Sequence, residues 1–226
     1  MIEKPLKPAE FAEKKILEAI LDSTYQPGDT LPAERVLAGL IGVTRPTLRE
    51  TLQRLSKEGW VTIAHGKPTR VNDYLANGGL GILSSLARYG RHLSTGMVSH
   101  LLEVRTTMFP DIAQKALANK SSMILEYLKH SKTLKDRPDA YAEYDWGLQM
   151  LMVKATDNPV FNMIFNDFLP LYGILGEMYF QQKESRAASL AYYEDLTRAV
   201  EQNNMDVRII VEKIMIRSQK IWQKMG

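Results

Sequence analysis

Arg45 and Arg49 sit four residues apart in a run that reads VTRPTLRE. On a helix that spacing stacks two side chains on one face. Arginine presents a planar fork of donors, and such a fork matches guanine O6 and N7 in the major groove. Thr44 and Thr47 lie beside them, short enough to reach a phosphate oxygen or a thymine methyl. Arg35 lies a little upstream on the preceding element. Downstream, His65, Gly66 and Lys67 form a small basic turn. An imidazole there can enter a minor groove, a lysine can hold a phosphate, and a glycine lets backbone approach closely. The chemistry these residues share is recognition of nucleic acid. A solvated charged face is the plain alternative. Against it, Arg35, Arg45, Arg49, Arg54, Lys57, Lys67 and Arg70 outnumber Glu50 and Glu58 in this stretch.

The elements that must position these groups are written locally. Pro32 suits a first helical position, and Val36, Leu37 and Leu40 give the following helix an apolar side. Gly42 ends it, Thr44 caps the next helix, and Pro46 fits that helix's first turn. Leu48, Leu52 and Leu55 recur at i, i+4 and i+7, a buried stripe, and Gly59 stops the helix. Arg45 and Arg49 lie off that stripe. The alternation in Trp60–Ile63 and Thr69–Val71 around a glycine turn predicts a hairpin, with Trp60 beneath it as core. Upstream, Phe11, Ile16, Leu17 and Ile20 mark a first helix that packs on the other two. Two helices, a tight turn and a hairpin make a winged helix-turn-helix over residues 1–72.

Residues 73–81 are glycine-rich and read as a link. From 82 to 226 no strand is evident, and Pro110, Pro138, Pro159 and Pro170 punctuate long helical patterns. The fold class is therefore mainly α: an N-terminal α/β winged helix-turn-helix joined to an all-α bundle. Polar residues interrupt apolar stripes in that bundle. Asp145 falls among Tyr141, Leu148 and Met152; Arg105 follows Val98, Leu101 and Leu102; Ser218 falls among Val207, Val211, Ile214 and Ile221, with Trp222 one turn on. Phe161, Phe165, Phe168, Tyr172, Tyr179 and Phe180 load one segment with aromatics. A core with satisfied polar groups and an apolar ligand pocket both fit this pattern.

Composition narrows the function. A chain of 226 residues suits two domains, 45% hydrophobic content suffices for cores, and a net charge of +3 makes basicity local. Without cysteine there is no disulfide framework or thiolate chemistry, which fits a reducing cytoplasm. The N-terminus has no signal-peptide layout, and no apolar run is long enough for a bilayer, so no membrane partner is expected. No nucleophile elbow or phosphate-cradling glycine loop supports an enzyme.

The runs LIGVTR, TLRE, LQRL, GW, TI and HGKPT resemble the GntR superfamily of bacterial regulators, and within it the branch that governs fatty-acid metabolism. Weaker similarity continues through LLEVRT at Arg105, the Asp145 helix, Leu171–Tyr172, Tyr179–Phe180, and Ser218 with Ile221–Trp222. The resemblance implies a homodimer on a pseudo-palindromic double-stranded operator, released by a long-chain acyl-CoA. It assigns DNA contacts to Arg35, Arg45, Arg49 and His65, with Thr44, Thr47, Gly66 and Lys67 nearby. It assigns Arg105, Tyr172, Tyr179, Met215, Ser218 and Trp222 to the effector. Two departures stand out: Pro46 replaces a hydroxyl residue, and Met215 stands where the branch has glycine. Many relatives instead hold a metal through Asp-x-x-x-His and further histidines. Here Gln149 takes the histidine place, and His65, His92, His100 and His130 all precede it, so no metal and no cofactor are expected. A regulator responding to a small carboxylate is the alternative.

Overall fold

The protein is described from a computed structural model, which covers residues 6–88, 95–202 and 207–225. Its contacts divide the chain into two units, Met1–His92 and Leu93–Gly226.

In the first unit, α1 (Pro8–Leu21), α2 (Glu34–Ile41) and α3 (Arg45–Glu58) surround a core of Ile16, Leu17, Leu37, Leu48, Leu52 and Leu55. Burying each such side chain contributes about 1.5–3 kcal/mol. The turn forms as the sequence indicates. Gly42 closes α2 at φ 82°, Thr44 Oγ1 accepts from the Thr47 backbone N–H at 3.4 Å, and Gly59 closes α3 at φ 94°. Three details differ from the sequence reading. Pro32 lies outside α2, whose N-cap is Ala33. Val36 and Leu40 are exposed, and Leu37 with Ala38 faces inward instead. Phe11 is exposed too, with Ala12 and Glu13 taking the inner positions. A three-helix core this small covers only a narrow stripe of each helix, so apolar residues at its margin stay in solvent.

The wing is a two-stranded antiparallel hairpin, β1 (Val61–Thr62) and β2 (Arg70–Val71), pairing Val61 with Val71 and Thr62 with Arg70. It is shorter than the alternation suggested. The segment before α2 lengthens it: Leu31 N–H donates to Thr69 O and Val71 N–H to Asp29 O, both at 2.8 Å. Trp60 is fully buried against Tyr74, ring centroids 4.7 Å apart, which matches its expected core role.

The glycine-rich stretch contains structure. α4 (Tyr74–Asn77) is capped by Asp73, and α5 (Gly81–Arg88) follows. Both pack within the first unit. The Gly59 α-carbon lies so close to the Asn77–Gly78 backbone that a Cβ would come within 3.0 Å. Glu58 accepts from Ser85 Oγ at 2.8 Å. Glu13 is 2% exposed and is gripped from two helices, by Arg54 at 2.7 Å and Arg88 at 2.8 Å. Arg54, counted from sequence among the basic residues of the DNA face, is thus turned inward to a buried carboxylate.

The second unit is a helical bundle, α6 (Thr95–Lys129), α7 (Pro138–Ala155), α8 (Pro159–Gln181), α9 (Lys183–Glu201) and α10 (Val207–Gln223), with a short 3-10 turn at His130–Thr133. Among the described residues of this unit there is no strand. Pro138 and Pro159 open their helices as the sequence suggests. Pro110 and Pro170, however, lie inside α6 and α8 rather than ending them. Each removes one backbone donor. The buried neighbours Phe109, Ile112, Phe165 and Leu171 hold the helices in place regardless. The break in α6 falls at Lys120 instead, where φ is −140°.

Candidate functional site

In the first unit, α3 presents Arg45, Thr47 and Arg49 off its buried leucine stripe, and the three sit on the N-terminal half of that helix. Arg35 is exposed on α2, and His65, Gly66 and Lys67 are exposed at the wing turn. Gly66 adopts φ 70°, a left-handed conformation that a side chain there would strain. Thr44 and Thr47 are tied to each other, hydroxyl to hydroxyl, at 2.8 Å. The cap at Thr44 also explains why Pro46 is harmless to the fold: its missing N–H falls in the first turn, where backbone donors have no helical partner.

Arg49 is not free-standing. Its Nη2 donates to Glu34 Oε2 at 2.7 Å and its Nε to Oε1 at 3.3 Å. The Arg49 hydrogen bond holds the Glu34 carboxyl below its usual range. Tallying charges along this stretch passes over Glu34, and its distance from Arg49 in sequence hides the pairing, which only the packing of α2 on α3 creates.

In the second unit, a cavity opens among α6, α7, α8, α9 and α10, with about 990 Å³ of empty space including its open mouth. All six residues assigned to an effector from sequence line it: Arg105, Tyr172, Tyr179, Met215, Ser218 and Trp222. The stripes that left core and pocket both open resolve into both. Val98, Leu101 and Leu102 line the cavity beside Arg105, whereas Tyr141 and Met152 belong to the packed core. Trp146, Phe165 and Phe168 add aromatic wall. Trp146 goes unnoticed in sequence because the Asp145 stripe does not include it.

The cavity has one polar floor. Asp145 is 6% exposed, and a buried carboxylate requires donors. Its Oδ2 accepts from Tyr172 Oη at 2.5 Å and Gln149 Nε2 at 2.6 Å, and its Oδ1 accepts from Tyr193 Oη at 2.8 Å. Burial pushes both tyrosine hydroxyls well above their ordinary pKa, so they stay protonated donors. Arg105 leans inward. Its Nε donates to Gln149 Oε1 at 3.2 Å, and its guanidinium lies 3.5 Å from Asp145 Oδ2. Across the cavity, Tyr179 Oη donates to Ser218 Oγ at 3.1 Å. Gln149 and Tyr193 were not read from sequence as partners of Asp145; they reach it by a turn of α7 and from α9. Asp145, Gln149, Tyr172 and Arg105 are thus bonded to one another at one side of a largely apolar space.

His100 and His130 are exposed, and His92 lies outside the described residues. Among the described residues no three His, Asp or Glu side chains are grouped to hold a metal ion. Among them, too, no helix is long and apolar enough to cross a membrane.

Residues 8–71 match the family model described as bacterial regulatory proteins, gntR family, and residues 72–226 match the FadR C-terminal domain. A fatty acid metabolism regulator protein of Shewanella pealeana is 40% identical over 96% of this chain and 92% of its own length. A protein of the same name from Klebsiella pneumoniae is 38% identical over 100% and 95%. Among solved structures, the Listeria monocytogenes protein Lar superposes with a TM-score of 0.63 at 15% identity, covering 99% of this chain and 100% of its own. That last likeness speaks to the fold alone.

Proposed function

We propose that this chain, which belongs to the gntR family of bacterial regulatory proteins and carries a FadR C-terminal domain, regulates transcription in fatty-acid metabolism and releases its operator when a long-chain acyl-CoA enters the cavity. It is a DNA-binding regulator and not an enzyme. The observation that carries the ligand half of the proposal is the convergence of Arg105, Tyr172, Tyr179, Met215, Ser218 and Trp222 on one apolar cavity with a polar floor. An acyl chain gains from leaving water for such a surface, and aromatic and methionine side chains adapt to its length. Arg105 is the candidate partner for the anionic end of the ligand, at the expense of its present bonds to Gln149 and Asp145.

On the DNA side, α3 enters a major groove with Arg45 and Arg49 on base edges, Arg35, Thr44 and Thr47 beside them, and the wing turn on the backbone or minor groove. One recognition helix covers too few base pairs for useful specificity, so two copies on a pseudo-palindrome complete the site. Release requires that the ligand bind more tightly to the state that does not hold DNA; equal affinity for both states would move nothing.

The test is operator binding by the full chain, titrated with CoA esters of increasing chain length against free CoA. Long-chain esters should release DNA and free CoA should not. Full retention of DNA at every chain length, well above micromolar ester, would overturn the acyl-CoA reading and leave the small-carboxylate regulator.

A further inference from the structure

We propose that Glu34 is a positioning residue that sets DNA specificity, by holding one edge of the Arg49 guanidinium so that only its other edge meets DNA. This rests on the reading that α3 contacts base edges. Arg49 has five N–H donors in a rigid plane. Glu34 occupies Nε and one hydrogen of Nη2, at 3.3 and 2.7 Å. What is left is the far end of the fork, Nη1 with the second hydrogen of Nη2. That end retains two parallel donors, the number that guanine O6 and N7 require.

The carboxylate has a second effect. Glu34 stands close to Arg45 as well as Arg49, where a negative charge weakens attraction to phosphates. As a contributor to affinity it is therefore counterproductive. As a selector it is useful. A phosphate that approached Arg49 would bring a full negative charge close to the Glu34 carboxylate. A guanine edge brings only partial charges. The pair thus biases Arg49 away from the backbone, which carries no sequence information, and toward bases, which do. Arg49 is 61% exposed at its side chain. Without a partner, such a long side chain would sample many rotamers and reach phosphates as readily as bases. Glu34 also begins α2, at a helix end that favours negative charge.

The experiment uses the full chain and two duplexes: one selected by the wild-type protein from random sequence, and one unselected. Affinities are measured at one salt concentration for wild type, Glu34→Gln, Arg49→Ala and the double variant. Glu34→Gln should bind the unselected duplex several-fold more tightly and the selected one no better, lowering the affinity ratio by about five- to tenfold. On the Arg49→Ala background the same change should leave the ratio where Arg49→Ala put it. Equal tightening on both duplexes would mean a plain charge effect and would overturn the proposal. So would a fall in the ratio that persists without Arg49. Should Arg49→Ala itself leave the ratio unchanged, the base-reading role of Arg49 fails first, and the role of Glu34 with it.

An independent readout is the titration of the Glu34 carboxyl by NMR. The Arg49 hydrogen bond lowers its pKa. The pair therefore stabilises the unit above the ordinary carboxylate range, and that contribution is lost as pH falls through the lowered value. The midpoint should return to the ordinary glutamate range in Arg49→Ala. A normal midpoint in the wild-type protein would remove the pair and the proposal.

Discussion

Replacing Asp145 by asparagine isolates what the cavity floor contributes, because the shape is kept while the charge and one acceptor are removed. Tyr172 and Gln149 donate to one oxygen, at 2.5 and 2.6 Å, and Tyr193 to the other, at 2.8 Å. An amide has a single oxygen. Facing it toward Tyr172 and Gln149 is the better choice, and it sets the new NH2 against the Tyr193 hydroxyl. Tyr193 is fully buried, so a donor left there without an acceptor costs about 1–3 kcal/mol. Arg105 also loses its ion pair. At 3.5 Å, with a fifth of its side chain in solvent, that loss is discounted to about 1 kcal/mol. Together the substitution should destabilise the second unit by about 2–4 kcal/mol. At about 3–4 °C per kcal/mol for a unit of this size, the melting transition should fall by roughly 6–16 °C. Calorimetry on the full chain would read it, with the first unit's transition as an internal control. Removing Arg105 as well should cost less in the asparagine background than in the wild type, by about 1 kcal/mol. A change under about 0.5 kcal/mol, or strict additivity with Arg105→Met, would refute the view that this network is a bonded unit rather than a set of neighbours.

Three further substitutions test the proposed roles. Arg45→Ala should weaken binding to the selected duplex by about 1–3 kcal/mol and flatten sequence preference. Lys67→Ala, at the wing turn, should weaken both duplexes alike and lower the salt dependence, and competition assays across salt concentrations separate the two patterns. Met215→Gly should extend the operator-release response toward longer acyl chains, because Met215 lines the cavity and is 4% exposed. An unchanged chain-length profile in the release titration would place its side chain away from the ligand.

What could be read from sequence follows the range of each interaction. Gly42, Thr44, Gly59 and the Leu48–Leu52–Leu55 stripe act over a single turn, and each takes its expected place. The six effector residues depended on a resemblance; periodicity alone left Ser218 and Arg105 undecided between core and pocket. Val36 and Leu40 misled because apolar character marks what a residue could bury, while the neighbouring helices decide how much is covered. Most pairs that give both sites their chemistry are long-range. Glu34 meets Arg49 across two helices, and Tyr172 of α8 and Tyr193 of α9 reach Asp145 on α7. Only the Asp145–Gln149 bond, four residues apart on α7, follows a spacing rule within one helix; the others follow none.

The double grip on Glu13 has a practical consequence for modular engineering. A graft that joined this DNA-reading half to a foreign sensor at the end of the wing would look natural from the hairpin alone. It would also discard Arg88, leaving a buried carboxylate with Arg54 but without its second cation, and would strip Tyr74 from Trp60 and the Asn77–Gly78 backbone from Gly59. The transferable cassette therefore runs through Arg88, and a chimera should be spliced after it.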